Sequence, residues 1–464
     1  MAGLRFQDRM SDSDALMWTV EKDPMLRSTI TAVLFLDQTP EPARLRHLLD
    51  RGTRLVPRMR QRVRGNPLSV APPRWEVDPH FDLDYHLRWV GASGDRDQRS
   101  VLDQAQPMAM QGFDRARPLW EMMVITDMAD GGAALIMKIH HAITDGVGAV
   151  QIALVLFELE REAAVGDMPD EPTVAVMSQA RRFKDAFEHE SRRNLGIAKR
   201  LPEMATSSVA ATAGDPVGTA RKVSETLSSI ARVAAPANVP LSSAMSHRSL
   251  SVHFDTITLS LSDAKAAAKV AGGRLNDAFL AATGAGIRRY HQELGEPLDA
   301  IRVSVPINLR SEDEGEATGN NFAPARFVMP IASDDPVEAM ATLRVLVAEQ
   351  RAEPALTMVE PLSRILNRLP TSLTTGIFGA ALKGIDLVAS NVPGAPIELF
   401  TAGARINSMF ALGPLVGAAV NVTLLSYLDQ IHIGLNLDPA AVTDPKLFLR
   451  CYREGWDEVL AVGR

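Results

Sequence analysis

Apolar, β-branched runs recur in both halves of this 464-residue chain but nearly vanish between about Gly166 and Ser249. That distribution dictates two folded halves and a different kind of segment between them. TITAVLFL (Thr29 to Leu36) reads as a buried strand, and Glu41 to Leu55 follows with helical spacing at Leu45, Leu48, Leu49 and Leu55. WEVDPHFDLDYHLRWV (Trp75 to Val90) precedes another helix. PLWEMMVIT (Pro118 to Thr126) and AALIMKIH (Ala133 to His140) are strands separated by MADGG, in which Asp130-Gly131-Gly132 is hairpin-turn chemistry. Gly148 to Glu160 resumes as an apolar helix. In the second half, HFDTITLSL (His253 to Leu261), IRVSVPI (Ile301 to Ile307), ARFVMPI (Ala325 to Ile331), LVASNV (Leu387 to Val392) and DQIHIGLNL (Asp429 to Leu437) read as strands, with helices over Ala264 to Val270 and Asn276 to Tyr290. Strands and helices mixed in this way, in a chain too long for one simple core, predict two α/β domains. The divisions are residues 1–165, a helical connector over 166–249, and residues 250–464.

The connector is rich in Ala, Ser, Pro, Arg and Lys. Val176, Ala180, Phe183 and Phe187 fall on one helical face, while Arg181, Arg182, Lys184, Arg192, Arg193, Lys199 and Arg200 add positive charge. Such a segment can lie on an anionic membrane or dock on the protein's own surface. The chain's formal net charge of −7 offers no global attraction for nucleic acid, so any anion or membrane contact must be local. Cys451 is the single cysteine, which rules out an intramolecular disulfide and fits a reducing, cytoplasmic setting. The opening MAGLRFQDRMSDSDALMW carries too many charges for a signal peptide, and no apolar stretch reaches the roughly 20 residues of a membrane span.

Specific chemistry is concentrated in KIHHAITDGVG (Lys138 to Gly148), at the point where a strand leaves its sheet. Adjacent side chains on a strand point to opposite faces, so His140 and His141 are poorly placed to share a metal ion, and no metal site is expected. An imidazole with a pKa near ~6.5 suits a general base, and one histidine can face a channel while its neighbour packs inward. Asp145-Gly146 would let the chain reverse, with Asp145 capping the next helix or bracing the loop by hydrogen bonds or an ion pair with an arginine. A satisfied histidine pair in an ordinary turn stays open on these residues alone.

HHAITDG is accompanied by PLW (Pro118, Leu119, Trp120), LND (Leu275, Asn276, Asp277), PINLR ending at Arg310, GNN (Gly319 to Asn321), and SNVPG from Ser390 and Asn391 to Gly394. Together with FDLDYHLR (Phe81 to Arg88), this set resembles the bacterial wax ester synthase/acyl-CoA:diacylglycerol acyltransferase family over nearly the whole chain. The resemblance implies a chloramphenicol acetyltransferase-like architecture: two related domains, each a mixed β-sheet flanked by helices, with an active-site tunnel between them. Two stretches depart from the family pattern. PLSSAMSH (Pro240 to His247) stands where members often have an LNG-type sequence, and the connector is unusually rich in Ala and Ser.

What the resemblance implies is transfer of a long-chain fatty acyl group from acyl-CoA to the hydroxyl of a diacylglycerol or a fatty alcohol, with His141 as general base. No cofactor is implied beyond acyl-CoA as substrate, and a membrane surface or lipid droplet is the expected partner. The absence of G-x-S-x-G agrees with direct transfer and no acyl-enzyme. Asn276, Asp277, Ser390 and Asn391 are candidate substrate or oxyanion contacts. Against that role, Asn276 can cap a helix starting at Asp277, and SNVPG can turn the chain after a strand. Gly146, Pro118, Leu119 and Trp120 are expected to support the site and shape the sheet, and Arg310 to pair with Asp145. A condensation-domain enzyme using carrier-bound acyl groups shares HHxxxDG, and a non-catalytic lipid-binding protein would keep the fold.

Overall fold

The computed structural model describes residues 7–66, 69, 71–143, 152, 155–164, 166–195, 239–308, 322–353 and 359–464. The first half runs through α1 (Asp12–Val20), β1 (Thr29–Leu36), α2 (Pro42–Leu55), β2 (Gln61–Arg64), β3 (Arg74–Val77), α3 (Leu83–His86), β4 (Leu87–Gly91), α4 (Gln98–Met110), β5 (Trp120–Thr126) and β6 (Ala133–His140). Helix α5, residues 179–195, follows an irregular stretch. The second half runs through β7 (His253–Ser260), α6 (Leu261–Val270), α7 (Leu275–Glu293), β8 (Ala300–Asn308), β9 (Phe322–Pro330), α8 (Pro336–Arg351), α9 (Val359–Leu366) and α10 (Thr371–Leu382). It closes with β10 (Leu387–Val392), β11 (Phe400–Thr401), β12 (Ala404–Leu412), β13 (Val420–Tyr427), β14 (Gln430–Leu437) and α11 (Pro445–Ala461).

These strands form two six-stranded mixed sheets, ordered β11-β12-β1-β6-β5-β4 and β7-β14-β13-β10-β8-β9. The β4–β5, β8–β10 and β10–β13 pairs are parallel and the others antiparallel. Strand β1 is apolar from Ala32 to Leu36 because both its faces are covered there. Leu34 and Leu36 pack with Leu45, Leu48 and Leu49 of α2, whereas Val33 packs with Val101, Leu102 and Ala105 of α4. The α2 helix starts where Glu41 accepts the N–H groups of Ala43 (2.9 Å) and Arg44 (2.6 Å), with Pro42 pre-set at its first position.

Sequence periodicity does not reveal β12. This strand pairs with β1 in the first sheet although it lies in the last quarter of the chain. A boundary at residue 250 therefore divides the sequence but not the sheets. Strand β12 also packs across β14, and Gly434 makes that crossing possible: a Cβ there would sit 2.1 Å from the Ala411 carbonyl oxygen. Asn436 Nδ2 donates to Gly413 O at 2.9 Å and Asn421 Nδ2 to Pro414 O at 2.8 Å, tying the same junction.

Within the connector, residues 166–178 are not helical, 179–195 are, and 239–249 form turns, while 196–238 lie outside the described residues. The expected apolar face does not point inward. Phe183 and Phe187 are exposed, Val176 precedes the helix, and the buried side chains are Arg182, Ala186 and Glu190.

His432 on β14 is fully buried, with Nδ1 3.1 Å from Thr258 Oγ1, and burial lowers its pKa to about 4. Burial shifts His86 and His291 in the same direction. With the folded pKa below the unfolded value of about 6.5, this contribution is fully present above about pH 6.5 and is lost as pH falls toward about 4. His432 alone should cost about 2 kcal/mol by about pH 5, lowering the melting temperature. His432→Leu should flatten that slope; an unchanged slope in a folded variant would contradict the assignment.

Candidate active site

His140 is the last residue of β6 and His141 the first of a short 3-10 turn, His141–Ile143. The two imidazoles are set in different surroundings. His140 is buried, with Trp18 edge-on at 5.5 Å and Phe113 at 6.0 Å between ring centroids. Its backbone N–H donates to Leu119 O at 3.0 Å. The Ala142 N–H donates to His140 Nδ1 at 3.0 Å, a pattern that makes Nδ1 the acceptor and places the ring proton on Nε2. Nε2 then lies 2.8 Å from Glu21 Oε1, close enough for strong attraction but off the axis of a straight hydrogen bond.

Glu21 caps the end of α1 and does more than meet His140. Its Oε1 accepts the Ser28 N–H at 2.6 Å, and the Ser28 carbonyl in turn accepts the His141 N–H at 2.9 Å. One carboxylate thus meets the ring of His140 directly and, through Ser28, is tied to the backbone of His141. Burial raises its pKa, but the His140 ring, the Ser28 N–H and Arg115 outweigh that effect and hold it below the ordinary carboxylate value. With both ring nitrogens engaged, His140 has no lone pair left for a metal ion. His141 is half-buried on the turn, with its backbone N–H held by Ser28 O.

Two residues earlier on the same face of β6, buried Lys138 reaches Glu121 Oε1 at 3.3 Å and lies 4.3 Å from the Phe113 ring centroid. Arg88 meets the other Glu121 oxygen at 3.1 Å. Burial depresses the Lys138 pKa, an effect that Glu121 partly opposes. A cleft beside this face is lined by Arg27, Thr29, Thr31, Met110, Arg248 and Val252. Thr29 and Thr31 are the register partners of His140 and Lys138.

The PLW triplet sits behind the histidines. Pro118, Leu119 and Trp120 are all buried, and the Leu119 carbonyl holds His140 as above. Trp120 Nε1 donates to Met59 O at 2.8 Å, and its ring stacks on His86 at 4.5 Å. His86, from FDLDYHLR, is sandwiched between Trp120 and Phe81, with Nδ1 2.7 Å from Trp120 O.

The other described candidates lie on helix α7 and on strand β10 of the second sheet. Helix α7 begins at Leu275, so Asn276 lies inside its first turn and does not cap it. The Asp277 carboxylate performs that task, accepting the Arg274 N–H at 2.7 Å. Ser390 and Asn391 belong to β10 itself, and the turn comes after them. It is tight at Gly394, where a Cβ would meet the Ser426 carbonyl oxygen at 1.8 Å. No hydrogen bond among the described residues ties Asn276, Ser390 or Asn391 to His140. Asp145, Gly146 and Arg310 lie outside the described residues. Cys451 is buried in α11, where burial pushes its thiol pKa up and disfavours a nucleophilic thiolate. Glu21 escaped the sequence reading because a lone glutamate at a helix end looks solvated, and nothing local marks its partner.

Residues 10–279 match the family described as the wax ester synthase/diacylglycerol acyltransferase catalytic domain, and residues 318–459 match the WS/DGAT C-terminal domain. The chain belongs to this family. A protein of Mycobacterium tuberculosis (strain H37Rv), provisionally named a diacylglycerol O-acyltransferase, is 36% identical over 458 residues, covering 99% of this chain and 93% of its own. A second from that strain, tgs1, also named as a diacylglycerol O-acyltransferase, is 26% identical over 447 residues, covering 94% and 92%. Among solved structures, the wax ester synthase/diacylglycerol acyltransferase from Marinobacter aquaeolei VT8 aligns with a TM-score of 0.65 at 20% identity, covering 98% of this chain and all of that one. The first condensation domain of the calcium-dependent antibiotic synthetase aligns at 0.59 with 14% identity, covering 99% and 97%. Both WS/DGAT and condensation domains therefore share the fold of two mixed sheets with flanking helices.

Proposed function

We propose that this chain transfers a long-chain fatty acyl group from acyl-CoA to the hydroxyl of a diacylglycerol or a fatty alcohol, with His141 as general base. The observation that carries this reading is the asymmetry of the histidine pair within a chain of this family. The His140 ring is engaged by Glu21 and Ala142 at the buried end of β6, whereas His141 is half-buried on the turn that follows, its backbone N–H held by Ser28 O. In the reaction, His141 takes the proton of the acceptor hydroxyl as that oxygen attacks the thioester carbonyl carbon. The tetrahedral intermediate then collapses, breaking the C–S bond, and the sulfur leaves as the thiol after taking the proton back from the imidazolium. Asn276, Ser390 and Asn391 are the groups proposed to meet the oxyanion or substrate, and Asp145 and Gly146 to shape the loop, with Arg310 as the partner of Asp145. The division into residues 1–165, 166–249 and 250–464 is retained as a proposal about sequence modules.

The names borne by the mycobacterial relatives favour a diacylglycerol acceptor. Contact with the inner face of a membrane or with a lipid droplet is proposed as the setting in which such substrates are met. Among the described residues no helix is long and apolar enough to cross a membrane. The test is thiol release from a long-chain acyl-CoA with a diacylglycerol and a fatty alcohol in competition. Thiol release that depends on acceptor, with triacylglycerol as the main product, is expected. Turnover only with an acyl-carrier protein would move the assignment to a condensation-type enzyme. Lipid retention without release of thiol from either donor would make the chain a binding protein.

A further inference from the structure

Helix α5 is fastened to the body by its charged side. Arg9 and Arg74 both reach Asp185, Arg193 pairs with Asp12, Arg368 meets Glu190 at 3.0 Å and Arg182 approaches Glu76 at 3.7 Å. At 100° per residue, Arg182, Asp185, Ala186, His189, Glu190 and Arg193 form one continuous arc toward the protein. The opposite arc carries Ala180, Phe183, Phe187 and Leu195, of which Phe183, Phe187 and Leu195 are 37%, 59% and 61% exposed. The preceding segment adds Val174 and Val176, also exposed. Rotating the helix to bury its phenyl rings would strand the inward charges away from their partners, so the ion pairs decide its orientation.

We propose that this outward face of residues 174–195 is a docking surface for an anionic lipid surface. The inference rests on the reading of the chain as an enzyme of lipid substrates and names the part of the molecule that meets them. Charge supports this occupant over an acidic protein partner or a second copy. The helix turns Asp185 and Glu190 inward and leaves Arg181, Lys184 and Arg192 at the surface beside the apolar arc. Glu188 is the outward acid, and it is held between Lys184 (3.9 Å) and Arg192 (3.5 Å). A chain of net charge −7 needs such a locally positive, apolar face to approach anionic lipid at all. Phenyl rings enter the acyl boundary while the basic groups stay at the headgroups.

The experiment is co-sedimentation of the full chain with phosphatidylglycerol-containing vesicles and with pure phosphatidylcholine vesicles, alongside thiol release from detergent-dispersed substrates. The wild-type chain should prefer the anionic vesicles. Phe183→Ser/Phe187→Ser should weaken that binding by at least about tenfold, and Lys184→Glu/Arg192→Glu should erase the preference. Both variants should keep thiol release in detergent. Undiminished vesicle binding by both folded variants would overturn the surface while leaving lipid acyl transfer intact, as would turnover in detergent by a wild-type chain that binds neither vesicle. Lipid-free self-association that Phe183→Ser/Phe187→Ser abolishes would assign the face to a second copy and overturn the inference too. Failure of the wild-type chain to release thiol would instead strike the proposed function.

Discussion

His141→Ala should fold normally and lose about a thousandfold in kcat for acceptor-dependent thiol release, the scale that a positioned general base contributes. The loss corresponds to about 4 kcal/mol of transition-state stabilisation. KM for acyl-CoA should move little, because the imidazole is proposed to act on the hydroxyl proton and not to bind the thioester. The half-buried setting of His141 makes the substitution tolerable to the fold. Glu21→Gln is the informative companion. Its amide oxygen can keep both contacts of Oε1, to the Ser28 N–H and to Nε2 of His140, so that only the negative charge is lost. Losing that charge should loosen the hold on the His140 ring, shift the turn and lower kcat by roughly tenfold, less than removal of the base itself. Turnover near wild type in a folded His141→Ala protein, by steady-state kinetics, would remove the mechanism. A Glu21→Gln enzyme as fast as wild type would leave Glu21 a purely structural tie.

Gly434→Ala should disrupt the junction of the two sheets. Its Cβ would meet backbone atoms on the facing strand, Ala411 O at 2.1 Å and Ala411 C at 2.9 Å, and no rotamer can relieve such a clash. Strands β12 and β14 would have to separate by about 1 Å, at a cost of about 3 kcal/mol or more. The displacement would not stay local. Strand β12 pairs with β1, β1 pairs with β6, and β6 ends at His140. A lower urea midpoint and a lower kcat are therefore expected together, whereas a methyl group merely filling space would leave both alone. Equal midpoints for the two proteins would show that the crossing can relax, and would refute the account of the junction.

The sequence exposed much of the fold because local physics was strong there. Strands β1 and β6 carry long apolar or β-branched runs, and α2 announces itself by its leucine spacing and its Glu41-Pro42 start. Strand β12, ARINSMFAL, was not legible: its alternating polar residues mark no boundary, and its membership of the first sheet depends on partners more than 350 positions away. The capping alternative for Asn276 fails because the helix starts one residue earlier, at Leu275, and Asp277 supplies the capping carboxylate. The site divides in the same way. HHAITDG marked the two histidines of the candidate site, but their inequality depends on Glu21, which stands on another element and leaves no periodic trace.

By itself the sequence determined the alternation of strands and helices, the family and the histidine pair, since apolar periodicity and motif spacing are local properties. Tertiary structure decided which sheet β12 joins, which carboxylate locks His140 and which face of α5 looks outward. Those outcomes depend on ion pairs and close backbone crossings between residues far apart in the chain. Hydropathy states which side chains avoid water; it cannot state which charge, among many, will be waiting when the chain has folded.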